Sequence, residues 1–186
     1  MRPVLAALAL LLAAASAAGC GGGDDGPRTG DAPPASAAPV PAGFTPVRAG
    51  QTVFAHPAGW TAATPPQGWT VMAELRAPGE VTARAGVLGE VPQTADPEIV
   101  IAASATALQL GVRGFDRGPG RPLKVPGAAR ALRVDYTYDD GTPARGTDVA
   151  VVSPAGSAVV VRVVGTQSGL SPAVVDQIVR TIAVRP

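Results

Sequence analysis

The stretch LRVDYTYDDGTPARGTDVAVVSPAGSAVVVRVV, residues 132–164, decides the fold. In its first part Leu132, Val134, Tyr136 and Tyr138 alternate with Arg133, Asp135 and Thr137, the period-two pattern of a half-buried strand. Asp139-Asp140-Gly141 is turn chemistry, and Gly146 to Val152 reads as the next strand. Ser153-Pro154-Ala155-Gly156 turns the chain again, and Ala158 to Val164 follows as a third strand. Turns this short join antiparallel neighbours, so the stretch is a meander.

Helices flank the meander. On its C-terminal side Ser171-Pro172 places a capping hydroxyl before a proline at the first helical position. Val174, Val175, Ile178, Val179 and Ile182 then mark one apolar face, with Leu170 and Val175 spaced as a hydrophobic staple. On the N-terminal side Asp96-Pro97-Glu98 opens a second helix, whose buried side is expected to hold Ile99, Ile101 to Ala103, Ala107, Leu108 and Leu110 before Gly111 ends it. Earlier still, Thr52 to His56 reads as a strand stopped by Pro57-Ala58-Gly59. Trp69 to Ala77 is another, and Val81 to Val91 a third, interrupted by Gly86 and Gly89. A helix with one apolar stripe must bury it, and the meander offers the surface. The predicted class is α+β, an antiparallel β-sheet with packed helices.

The first residues carry a different signal. Met1-Arg2-Pro3 gives one positive charge, Val4 to Ala15 is uncharged and apolar, and Ser16-Ala17-Ala18-Gly19 is small throughout. That order is a secretion leader, expected to span residues 1–19. Its apolar run falls short of the roughly 20 residues that cross a bilayer core. Cys20 is the only cysteine and directly follows Ala17-Ala18-Gly19, as in a bacterial lipobox, so lipidation is expected there. Residues 20–43 consist almost wholly of Gly, Pro, Ala, Ser and Asp, which cannot bury enough apolar surface to offset chain entropy. They read as a disordered tether, reaching between about 25 Å as a coil and about 70 Å extended. Residues 44–186 are then one globular domain.

Within that domain thirteen Lys and Arg face eleven Asp and Glu, so no charge excess points to nucleic acid. With a single cysteine in the chain no intramolecular disulfide can form, and packing alone must hold the fold.

The strand ending in Phe54-Ala55-His56-Pro57-Ala58-Gly59-Trp60, the strand–helix middle, the meander and the terminal helix together resemble the PsbP-like superfamily. The closer resemblance is to the LpqN-type lipoproteins of high-GC Gram-positive bacteria. That resemblance implies an α/β/α sandwich built on an antiparallel sheet. It also implies a binding or assembly role, with no catalytic residues to carry over.

Candidate chemistry is sparse. His56 is the only histidine, no Gly-x-Ser-x-Gly elbow is present, and no catalytic residue is assigned. Cys and His clusters for zinc are missing from the sequence, and Asp139-Asp140-Gly141 lacks the spacing of a calcium loop, so neither metal nor cofactor is expected. Trp60 and Trp69 are expected to pack. One basic run stands out: Arg113, Arg117, Arg121, Lys124, Arg130 and Arg133 are accompanied by Asp116 alone among acids. Arg130 and Arg133, three apart in one strand, point to opposite faces, and Arg133 shares its solvent side with Asp135 and Thr137. An anion site is therefore expected around Arg117 and Arg121, on either side of Gly118-Pro119-Gly120.

The leading expectation is a monomeric, non-enzymatic protein, anchored by lipid to the outer face of the cytoplasmic membrane, binding a protein or an anionic envelope component. A carrier of a lipid or small apolar ligand is the alternative, and an esterase-type enzyme ranks last.

Overall fold

The computed structural model describes residues 40–91 and 96–185. The leader, Cys20 and the tether up to residue 39 lie outside the described residues. In chain order the elements are β1 (Phe44–Ala49), β2 (Thr52–Pro57), β3 (Thr61–Ala63), β4 (Trp69–Ala77), β5 (Glu80–Val91), α1 (Pro97–Gly111), β6 (Asp116–Arg117) and β7 (Arg121–Pro122). Then come β8 (Arg130–Asp139), β9 (Pro143–Val152), β10 (Ala158–Thr166), α2 (Pro172–Arg180) and β11 (Ala183–Val184).

The meander forms as its alternation predicts: β8, β9 and β10 pair in sequence, and β10 then pairs antiparallel with β5. The large sheet runs β3-β4-β5-β10-β9-β8-β6, with β7 also on β8. A small sheet, β1-β2-β11, accompanies it. The alternation divides two cores. Ala131, Val149, Val151, Val161 and Val163 join Val175, Ile178 and Val179 of α2 on one face. Leu132, Val134, Ala150, Val152 and Val160 join Val100 and Ile101 of α1 on the other. Helices on opposite faces of an antiparallel sheet give the expected α+β class and α/β/α layering.

Both helices start where their caps predict. Asp96 Oδ1 accepts the Glu98 amide at 2.9 Å, and Ser171 Oγ accepts the Val174 amide at 3.3 Å. The buried side of α1 differs from expectation. Pro97, Val100 and Ile101 are buried, whereas Ile99 is 59% and Leu110 85% exposed, and Ala102, Ala103 and Ala107 face solvent. Apolar residues surround this helix on nearly every side, so their spacing gives it no direction. What turns it is Ser104, which reaches a buried charge pair described below.

Two aromatics occupy room that glycines leave on the neighbouring strand. The Trp69 ring covers Gly86, where an added Cβ would come within 2.8 Å of Trp69 Cε3, and Tyr136 lies over Gly146. Gly86 and Gly146 are thus seats for rings. Trp60 packs separately, in the core on the α2 side.

Near the other end of the sheet Glu74 is only 4% exposed and accepts from Arg84 Nε at 2.9 Å and Arg76 Nη2 at 2.6 Å. The hydrogen bond from Arg84, aided by the charges of Arg76 and Arg84 and opposed by burial, holds this carboxyl below its ordinary value of 4.5. A carboxyl depressed in the folded state contributes stability that is complete above its unfolded value and disappears as pH falls through the folded one. Urea midpoints of the native chain should therefore exceed those of Glu74→Gln at neutral pH, with the gap closing below about pH 4. A gap that stays constant across that range would show that ionisation of Glu74 is not linked to folding.

Candidate binding cleft

Pairing register lines residues up in rows across β6, β7, β8 and β9. On the α2 face one row is Asp116–Thr137–Arg145, the next is Asp135–Thr147, and the next is Arg121–Arg133–Val149. The first turns of α2 stand over these rows because Leu170 and Val175 bury in the core beneath them. Between helix and sheet lies a cleft of about 420 Å³, with Pro172, Val175 and Asp176 on the helix side.

A charge lattice forms its inner end. Arg133 Nε donates to Asp135 Oδ1 at 2.9 Å and Arg133 Nη1 donates to Asp176 Oδ1 at 2.7 Å, so one guanidinium ties sheet to helix. Asp135 also accepts from Thr147 Oγ1 at 2.5 Å and pairs with Arg121. Burial works against the charge of Arg133, but the hydrogen bonds from it to Asp176 and Asp135 outweigh that and raise its pKa. Arg133 is thus not on an open solvent face, as the strand pattern alone suggests; α2 roofs it.

At the outer end two charges stand without partners. Among the described residues neither Asp116 nor Arg145 makes an ion pair or a side-chain hydrogen bond, and Arg145 Nε is buried with no acceptor. They flank Thr137, one on each side. The cleft therefore joins a satisfied lattice to an unsatisfied cation and an unsatisfied anion.

The opposite face carries a second polar cluster that the sequence reading missed. Arg162 donates to Asp148 through Nε at 2.8 Å and through Nη2 at 2.7 Å, a two-point contact. Ser104 of α1 accepts from Arg162 Nη2 at 2.7 Å and donates to Asp148 Oδ2 at 2.8 Å. The Tyr136 hydroxyl donates to Asp148 Oδ1 at 3.4 Å, and Arg162 sits 5.9 Å from the Tyr136 ring centroid, within cation–π range. Burial, and then the Asp148 charge, push the Tyr136 phenol well above its ordinary value, so it stays a neutral donor. This cluster fastens α1 to the sheet. Its signal was present: a lone charge within Thr147-Asp148-Val149 and another within Val161-Arg162-Val163, placed opposite each other by the hairpin register.

The residues expected to bind an anion do not share a face. Arg117 pairs in register with Tyr136, and Arg121 with Arg133 three positions earlier. Side chains alternate along β8, so Arg121 enters the cleft lattice through Asp135 while Arg117 is directed to the α1 face. The rest of the basic run also disperses: Arg113 meets Asp140 at 3.4 Å, and Arg130 meets Asp96 at 3.6 Å. His56 is buried, bonded through Nδ1 to the Pro57 carbonyl at 2.9 Å and stacked on Trp60, away from the cleft lining. Asp139 caps its own turn, accepting the Gly141 amide at 3.1 Å. Among the described residues no three His, Cys, Asp or Glu side chains lie where they could hold a metal ion. No helix among them is long and apolar enough to cross a membrane.

No family model matches the chain, and no curated protein matches its sequence. Solved structures do. LpqN from Mycobacterium tuberculosis, involved in cell envelope biogenesis, is similar with a TM-score of 0.54 and 14% identity, over 77% of this chain and 91% of that one. The Ran-binding protein Mog1p from Saccharomyces cerevisiae is similar with a TM-score of 0.51 and 11% identity, over 76% of this chain and 95% of that one. At such identities the likeness is one of fold, and it agrees with the α+β class, an antiparallel sheet with packed helices.

Proposed function

We propose that the chain is an LpqN-type lipoprotein of the cell envelope, held on the outer face of the cytoplasmic membrane through Cys20, and that it binds a partner without catalysing a reaction. The leader and lipobox reading supports the location, and the likeness in fold to a protein of envelope biogenesis agrees with it. The observation that carries the binding role is the cleft, where Arg145 and Asp116 present uncompensated charge beside the apolar surface of Pro172 and Val175. Small-ligand and peptide sites combine such surface with a few convergent polar groups. The expected anion contact thereby passes to Arg145, which lies on the same face as Arg121.

A photo-reactive residue placed at Thr137, between the two free charges, should give a discrete crosslinked product in intact cells. The same residue at the exposed Gln67, away from the cleft lining, should not. Arg145→Glu should abolish the Thr137 product while leaving the unfolding midpoint unchanged, because Arg145 has no partner to lose. Equal products from both positions, or a product that survives Arg145→Glu, would remove the cleft from the account.

A further inference from the structure

The unpaired charges in the cleft are one cation and one anion, set apart by a defined span. Asp116 and Arg145 sit on β6 and β9, with β8 between them, so their backbones are two strand spacings apart, roughly 9.5 Å. Both line the cleft, yet they do not pair with each other. The intervening Thr137 carries no charge, and the lattice behind is closed: Arg133 spends its bonds on Asp135 and Asp176, while Asp135 is taken by Arg121, Arg133 and Thr147.

A ligand with only a carboxylate would satisfy Arg145 and leave Asp116 close to its own charge. A ligand with only an ammonium would do the reverse. A ligand carrying both, at opposite ends, satisfies both. Pro172 and Val175 would then bound the small side chains of such a ligand from the helix side.

We infer that the cleft binds a small zwitterionic ligand, its free carboxylate on Arg145 and its free ammonium on Asp116. This rests on the reading of the cleft as the binding site, and it names the chemical class that site selects. Charge-assisted contacts at both ends give orientation as well as affinity, since reversing the ligand would set like charges together.

The test follows the Arg145 Nε–H resonance of the full chain in detergent micelles, titrated with di-alanine, N-acetyl-di-alanine and di-alanine amide. Di-alanine should shift the resonance saturably, and blocking either terminus should weaken binding about tenfold. By calorimetry, Arg145→Gln should lose the distinction between di-alanine and its amide, and Asp116→Asn the distinction between di-alanine and its N-acetyl form. Each variant should keep the native unfolding midpoint. Equal binding of the blocked and free peptides would overturn the zwitterion inference and leave the cleft as a binding site. So would the absence of any peptide-induced shift alongside an intact Thr137 crosslink. The absence of both shift and crosslink would remove the ligand class and the cleft together.

Discussion

Asp148→Ala should cost about 3–5 kcal/mol of stability, the usual penalty when one partner of a buried pair is removed and the other charge stays inside. The Asp148 side chain is 3% exposed and that of Arg162 is 10% exposed. Without the carboxylate, the hydrogen-bond acceptors left to Arg162 are the hydroxyl and carbonyl oxygens of Ser104, at 2.7 and 3.4 Å. For a domain whose whole margin is about 5–15 kcal/mol, that loss moves the urea midpoint far and partly unfolds the chain at ambient temperature. Replacing both partners, as Asp148→Leu with Arg162→Met, should cost less than Asp148→Ala alone, since no charge is then stranded. Ser104→Ala should cost about 1 kcal/mol and act mainly on α1, read as faster amide exchange along that helix. If Asp148→Ala costs under about 1 kcal/mol, the pair behaves as a surface ion pair and does not fasten α1.

The second large effect concerns location. Cys20→Ala should transfer nearly all of the protein from the membrane fraction to the medium. Each buried methylene contributes about 0.8 kcal/mol, so two or more acyl chains hold a protein that one chain would release. No helix among the described residues is long and apolar enough to cross a membrane. Persistence of the variant in the membrane fraction would mean that another segment binds the bilayer.

The parts of the fold visible in the sequence were those where pattern and turn chemistry agree. In residues 132–164 the first strand alternates, the other two are mainly apolar and each turn has its own residues, so pairing and order follow. Helix α2 was visible because Ser171, Pro172 and a one-sided apolar stripe coincide. The direction of α1 was hidden, since an Ala-rich helix is apolar on most sides and its contact is chosen by Ser104. Strands β1, β3, β6, β7 and β11 were also missed. Four of them have two or three residues, too few for any period, and β1 carries Pro46 within an edge strand. The candidate site suffered from the same gap. Two-residue strands β6 and β7 decide that Arg117 and Arg121 face opposite ways and that Asp116, not Arg117, meets the cleft. Arg145 escaped notice because its interest lies in having no partner, which only three-dimensional placement reveals.

The proposed lipid anchor at Cys20 is tested most directly by the mature N-terminus. Mass spectrometry of the protein recovered from the membrane fraction should find a chain beginning at Cys20, its thiol carrying a diacylglyceryl group. An unmodified thiol, or a mature chain beginning at any other residue, would contradict it.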